Sequence, residues 1–260
     1  MRLFLIRHAE TVDNAASVYA GTRDSALTSH GVIQTRRLGA HLAKVVPAPK
    51  ARIFASDLQR AVKTAEAIRD ARGDGGGDGG GDDVEQLPDL REKFFGTGEG
   101  QKFGAREPHD GAETTEEMQA RADRFLADHL LELCTEDAVF VVSHGIMLNV
   151  ILRRLCEKLP SGSISVSPEA QHHTNPSGTA VLTRASWSNT GYLEMRLSGG
   201  QPQWSALKAR IEVVNSTGHL QGLRKTRGGI GSARFDSNQK TMDSFFKPAP
   251  KKRKLADAAE

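Results

Sequence analysis

The sequence predicts an α/β protein: a mostly parallel central sheet covered on both faces by helices, a three-layer α/β/α sandwich, followed by a disordered C-terminal tail. Short apolar runs alternate with helix-period segments through residues 1–200, the pattern of strands joined by covering helices. The run A-V-F-V-V at 138–142 is apolar at every position, as a strand buried on both faces must be. Charge is unevenly spread. Residues 205–260 carry 12 Lys/Arg against 5 Asp/Glu, and residues 1–204 carry 23 against 27, so the formal net charge of +3 belongs to the end of the chain. The expected division is one domain over 1–204 and a basic, largely disordered tail over 205–260.

The first strand is L-F-L-I at 3–6, and Arg7-His8 follow it at once. A loop containing Asn14 leads to a helix over 31–46, with Val32, Ile33, Leu38, Leu42 and Val45 at helical spacing, a cap at Thr28 or Ser29, and Pro47 as its stop. R-I-F-A at 52–55 is a second strand, and Ser56-Asp57 open a helix with Arg60 in its first turn. Residues 73–83, G-D-G-G-G-D-G-G-G-D-D, cannot pack a core and read as a solvated acidic loop rather than a calcium-binding repeat. A short strand at 84–87 precedes Glu92 and Glu99, which stand among glycines and aromatics. A long helix is expected over 114–133, capped by Thr114 or Thr115 with Glu117. The strand at 138–142 ends in Ser143-His144-Gly145 before another helix. Residues 160–178 read as a polar loop in which His172-His173 lack further metal ligands at sensible spacing. Strands follow at 179–184 and 191–197, with a turn at 188–191. From Ile211 onward the chain reads as extended and weakly ordered.

Cys134 and Cys156, both in apolar segments, argue against a disulfide framework and read as buried small hydrophobes. The opening apolar run is broken by Arg7, and no later run approaches about 18 apolar residues, so neither signal peptide nor membrane span is expected. With 38% hydrophobic and 26% charged residues, the composition is that of a soluble globular chain able to bury a core.

His8, His144, Arg7 and Arg60 all follow strands, and ligands of open α/β sheets bind beyond the carboxyl ends of their strands. Two neutral histidines alone could hold a metal, but two arginines beside them repel a cation and attract a dianion, with phosphate the natural guest. A histidine can then act as nucleophile through one ring nitrogen while a carbonyl holds the other. The guanidinium groups would neutralise the transferring phosphoryl group, and a carboxyl such as Glu92 would protonate the leaving oxygen. No metal and no cofactor are called for.

These residues lie in motifs that resemble, in order, those of the histidine phosphatase superfamily, in its phosphoglycerate mutase-like branch. R-H-A-E-T at 7–11 resembles R-H-G-E-T, with Ala9 where glycine is usual. D-S-A-L-T-S-H-G-V-I-Q resembles D-x-P-L-T-x-x-G-x-x-Q; S-D-L-Q-R-A-V-K-T-A carries Arg60; L-R-E-K-F-F-G-T-G-E-G carries Glu92; and V-V-S-H-G carries His144. The resemblance covers 1 to about 200. It implies a phosphoglycerate mutase-like fold, with His8 as the phosphorylated nucleophile and Glu92 as proton donor. Arg7, Arg60 and His144 would hold the phosphoryl group, Asn14 would line the pocket, and Glu99 would be a structural support. Because only short motifs are shared, hydrolysis of a phosphorylated small molecule or phosphoprotein is favoured over a mutase reaction. An adaptor with a vestigial pocket is the reading from another class.

In the tail, Q-K-T-M-D-S-F-F at 239–246 resembles the PIP box of proteins that bind the replication sliding clamp (PCNA). Met242, Phe245 and Phe246 would form an apolar plug on one helical turn, with Gln239 reaching a polar pocket. K-K-R-K at 251–254 resembles a nuclear import signal and also suits weak direct contact with nucleic acid. The two together predict a nuclear rather than a cytoplasmic protein.

Overall fold

The computed structural model describes residues 1–47, 51–73, 83–104, 110–173, 185–199, 201–224 and 230–237. Seven strands form one sheet: β1 (Arg2–Arg7), β2 (Ala51–Ala55), β3 (Val84–Gln86), β4 (Ala138–Ser143), β5 (Ile164–Val166), β6 (Tyr192–Ser198) and β7 (Lys208–Ser216), in the order β3-β2-β4-β1-β6-β7-β5. β1 lies parallel to β4, β2 parallel to both β4 and β3, and β5 parallel to β7; only β6 runs against its two neighbours. The sheet is mixed and mostly parallel, as expected.

The period of two along each strand sorts side chains into two cores. Leu3 and Leu5 of β1 and Val139 and Val141 of β4 pack toward α4 (Thr115–Phe125) and α5 (Gly145–Lys158), meeting Phe125, Leu148, Ile151 and Leu155. Phe4, Ile6, Phe140 and Val142 face the other way, toward α2 (Ser29–Val45) and α3 (Gln59–Arg72), meeting Leu38, Leu42, Ala65 and Ile68. Strands with no polar face are therefore what a sheet with helices on both sides requires. A short helix α1 (Val12–Ala16) sits between β1 and α2, closed by a reciprocal cap between Thr11 and Asn14.

Several elements differ from their expected bounds. The helix after β2 begins at Gln59, not Ser56, because Ser56 and Asp57 turn the chain: the Ser56 hydroxyl accepts from the Leu58 amide, and Asp57 pairs with Arg91. The long helix after Thr114 is regular only to Phe125; a wider turn over Leu126–Leu130 keeps both Leu126 and Leu130 buried before a tight turn at Leu131–Thr135. The polar stretch after 160 holds a strand, β5, and a 3-10 helix, Pro168–His173.

The largest correction is β7. Its residues were expected in the tail, yet it pairs with both β6 and β5, and Ala209, Ile211 and Val214 are buried. The sheet thus continues past residue 204. Residues 233–235 also return to the body, where the Ser29 amide donates to the Ala233 carbonyl and the Phe235 amide to the Leu27 carbonyl. The strand expected at 179–184, the Gly/Asp run at 74–82 and the residues after 237 lie outside the described residues. Among the described residues, no helix is long and apolar enough to cross a membrane.

Candidate active site

Strand register assembles the site. Arg7 stands opposite Ser143 across the β1–β4 ladder, so the next residues, His8 and His144, are neighbours, with ring centroids 4.9 Å apart. The ladder continues one step beyond the strands, the His8 amide donating to the Ser143 carbonyl at 3.0 Å. On the other side of β4, the Ser56 amide donates to the Val142 carbonyl, which brings α3 and Arg60 to the same end of the sheet.

His8 is buried, and its Nδ1 lies 2.7 Å from the carbonyl of Ala9. A carbonyl only accepts, so Nδ1 carries the proton and Nε2 is left with its lone pair. Ala9 is itself fully buried, its amide donating to the Thr64 hydroxyl, and it has no positive φ. This turn uses the backbone of residue 9, which is why alanine serves there.

The motif around Thr28 holds that turn in place. Thr28 caps α2 through the Gly31 amide and donates its hydroxyl to Glu10, and the Glu10 amide donates to Gln34 Oε1 at 2.9 Å. A Cβ at Gly31 would stand 2.1 Å from the Glu10 carbonyl oxygen, so only glycine admits this approach.

His144 has the opposite tautomer. Arg60 Nε donates to its Nδ1 at 3.2 Å, so the proton resides on Nε2, which is buried without a partner among the described residues. Arg60, 1% exposed, is fixed by donating from Nη1 to the Arg23 carbonyl and from Nη2 to the Gly21 carbonyl, both at 2.6 Å. Arg7 donates from Nη1 to the Trp187 carbonyl, and its buried Nε also lacks a partner among the described residues. Burial lowers the Arg60 pKa to about 10 and lowers that of Arg7, with Glu92 opposing both shifts; Arg60 keeps its charge at neutral pH. Burial, then the positive charges of Arg60 and Arg7, holds both histidines well below the usual 6.5, so they are neutral near pH 7.

Glu92 meets the N-terminus of α5: Oε2 accepts from the Ile146 amide and Oε1 from Met147, each at 3.2 Å. Its segment is anchored by Ser143, whose hydroxyl donates to the Leu90 carbonyl, and by Arg121, which donates to the Asp89 and Arg91 carbonyls. Asn14 Oδ1 accepts from Asn189 Nδ2, which also donates to the His8 carbonyl. One cavity of about 730 Å³ is lined by all six expected residues, Arg7, His8, Asn14, Arg60, Glu92 and His144.

A sequence profile described as histidine phosphatase superfamily, branch 1, matches residues 3–169. The chain belongs to this superfamily. Over 184 residues it is 30% identical to the adenosylcobalamin/alpha-ribazole phosphatase of Salmonella typhimurium, covering 63% of this chain and 83% of that protein. A probable phosphoglycerate mutase of Yersinia enterocolitica is 28% identical over 239 residues, covering 85% and 95%. Among solved structures, a mycobacterial glucosyl-3-phosphoglycerate phosphatase superposes with a TM-score of 0.62 at 22% identity, covering 83% of this chain and 99% of that one. A putative alpha-ribazole-5'-P phosphatase from Escherichia coli gives 0.57 at 25%, covering 83% and 97%. This histidine phosphatase is thus an enzyme of a phosphoryl-transferring family.

In this superfamily member the supports of the site are mostly groups that sequence reading passed over. The carbonyls of Gly21, Arg23 and Trp187 carry no side-chain signal, and Asn189 sits in a turn distant in sequence. Thr64, one helical turn after Arg60 and bonded to its carbonyl, was in principle legible from spacing. Glu99 accepts from both the amide and the hydroxyl of Thr22 and is a structural support, as read. Gln239, Met242, Phe245 and Phe246 lie outside the described residues. Cys156 is partly buried against the core, and burial raises its thiol to about 11.

Proposed function

We propose that this histidine phosphatase hydrolyses phosphomonoesters through a phosphohistidine on His8. The observation that carries the reading is the pair of buried N–H donors without partners among the described residues, Arg7 Nε and His144 Nε2, beside a histidine whose Nε2 is left with its lone pair. Buried donors are costly unless an acceptor arrives, and phosphoryl oxygens supply it.

In the first step His8 Nε2 attacks phosphorus, the P–O bond to the alcohol breaks, and the departing oxygen takes a proton through the Glu92 carboxyl. Arg7, Arg60 and His144 hold the equatorial oxygens, and Asn14 borders the pocket. In the second step water attacks the phosphohistidine, its proton passes to Glu92, and phosphate leaves with His8 restored. Glu92 is fixed for both transfers by the amides at the start of α5.

Hydrolysis and mutase chemistry separate in one assay. The full chain is expected to release inorganic phosphate from p-nitrophenyl phosphate and from members of a panel of sugar phosphates, nucleotides and phosphopeptides. Interconversion of phosphoglycerates without net phosphate release would assign the mutase reaction instead, and failure on every ester would favour an adaptor.

The tail adds a location to this reading. The PIP box begins at Gln239, two residues after Ser237, and the run at 251–254 supplies an import signal. The enzyme is accordingly nuclear and held on the sliding clamp. Replacing Phe245 and Phe246 by Ala is expected to abolish clamp binding in a calorimetric titration while leaving hydrolysis of p-nitrophenyl phosphate unchanged; unaltered binding refutes the tether.

A further inference from the structure

The cavity before His8 is far larger than a phosphoryl group requires, and its outer part has a chemistry of its own. One wall is aromatic: Tyr19 packs against Phe95 and Phe103 with ring centroids 4.7 Å and 4.8 Å apart, and Phe103 is 54% exposed. A large exposed ring beside a cavity is surface that a ligand can cover. A second wall is one face of α5, where Ile146, Asn149, Val150 and Arg153 follow at helical spacing. Asn149 Oδ1 is occupied by the Ala185 amide and Trp187 Nε1, which fixes Trp187 against this wall.

Arg153 is the unexpected member. Its neighbour Arg154 is bound to Asp123 and Glu157, whereas Arg153 makes no hydrogen bond or ion pair with any described residue, yet it lines the cavity. Arg153 lies seven residues beyond Ile146, whose amide meets Glu92 at the reacting end, a rise of about 10 Å along the helix. The phosphoryl end already has two arginines of its own, so this third cation addresses a different part of the substrate.

We infer that the substrate is a phosphomonoester whose alcohol carries a flat ring and, at the end of the molecule away from the phosphorus, a second anionic group. The ring lies against Tyr19, Phe95 and Phe103, and the distal anion pairs with Arg153. A short three-carbon acid phosphate fills neither the aromatic wall nor the span to Arg153. This inference rests on the phosphatase reading.

The test compares two aryl phosphates that differ in one charge, 3-(4-phosphonooxyphenyl)propanoate and its primary amide, as substrates of the full chain. Wild type is expected to prefer the acid by about tenfold in kcat/KM, Arg153→Lys to keep the preference, and Arg153→Glu to invert it. Phe103→Ala is expected to raise KM for both esters severalfold. A wild-type ratio near one, or a ratio unchanged in Arg153→Glu, overturns the role of Arg153 while hydrolysis itself stands. If neither ester nor p-nitrophenyl phosphate is hydrolysed, the phosphatase reading falls and this inference with it.

Discussion

His8 and His144 occupy equivalent places at the ends of adjacent parallel strands, in register, yet they hold opposite tautomers. At His8 a carbonyl meets Nδ1 and leaves Nε2 basic; at His144 a guanidinium meets Nδ1 and leaves Nε2 a donor. Both rings are buried and neutral, so charge does not distinguish them. In the proposed mechanism, the group placed on Nδ1 decides which histidine attacks phosphorus and which binds its oxygens.

Exchanging each ring for an amide breaks this comparison most severely. His8→Asn removes the nucleophile and is expected to lower kcat by about 10⁴-fold or more. His144→Asn removes one oxyanion donor and is expected to cost about 10²–10³-fold. Equal losses in steady-state assays contradict the division of roles.

Arg60→Lys tests the tautomer directly. A lysine keeps the charge but loses the fixed Nε–H that pins His144 Nδ1, and the expected loss in kcat is about 10²-fold with protein still folded by circular dichroism. A wild-type rate would show that the guanidinium does not set the ring.

Thr64→Val sharpens the His8 side more gently. It leaves the buried Ala9 amide without its acceptor, at a cost of about 1–3 kcal/mol in a denaturant titration and a smaller effect on rate.

Acidity provides a milder probe of the folded state. Three histidines, the buried His8 and His144 and the half-buried His219, have folded pKa values lowered chiefly by burial, His219 to about 4. Below pH 6.5 the unfolded chain therefore binds more protons than the folded one, and stability falls as the pH drops from 6.5 toward 4. Tm measured across that range is expected to decrease, and His219→Gln to flatten the slope; a Tm that rises on acidification contradicts the burial argument.

The layers and most elements were legible because β1 and β4 are apolar on both faces and α2 carries its stripe and cap. β7 was not. Ile211 and Val214 are both buried across a bulge opposite Glu194, so the period of two breaks in mid-strand, and its basic exposed residues matched the tail's composition. In the site, the histidines and arginines stood out because each ends or follows a strand or opens a helix, and Glu92 stood out through its motif. The groups that orient them were hidden, since backbone carbonyls at Ala9, Gly21, Arg23 and Trp187 acquire a role only once the chain has folded.

The division between the two histidines is tested most directly by trapping the phosphorylated enzyme during turnover, mapping the modified residue by mass spectrometry and assigning the nitrogen by phosphorus NMR. Phosphate on Nε2 of His8, lost in His8→Asn and still formed in His144→Asn at a reduced rate, is the expected result. Phosphate on His144, or on Nδ1 of His8, would contradict it.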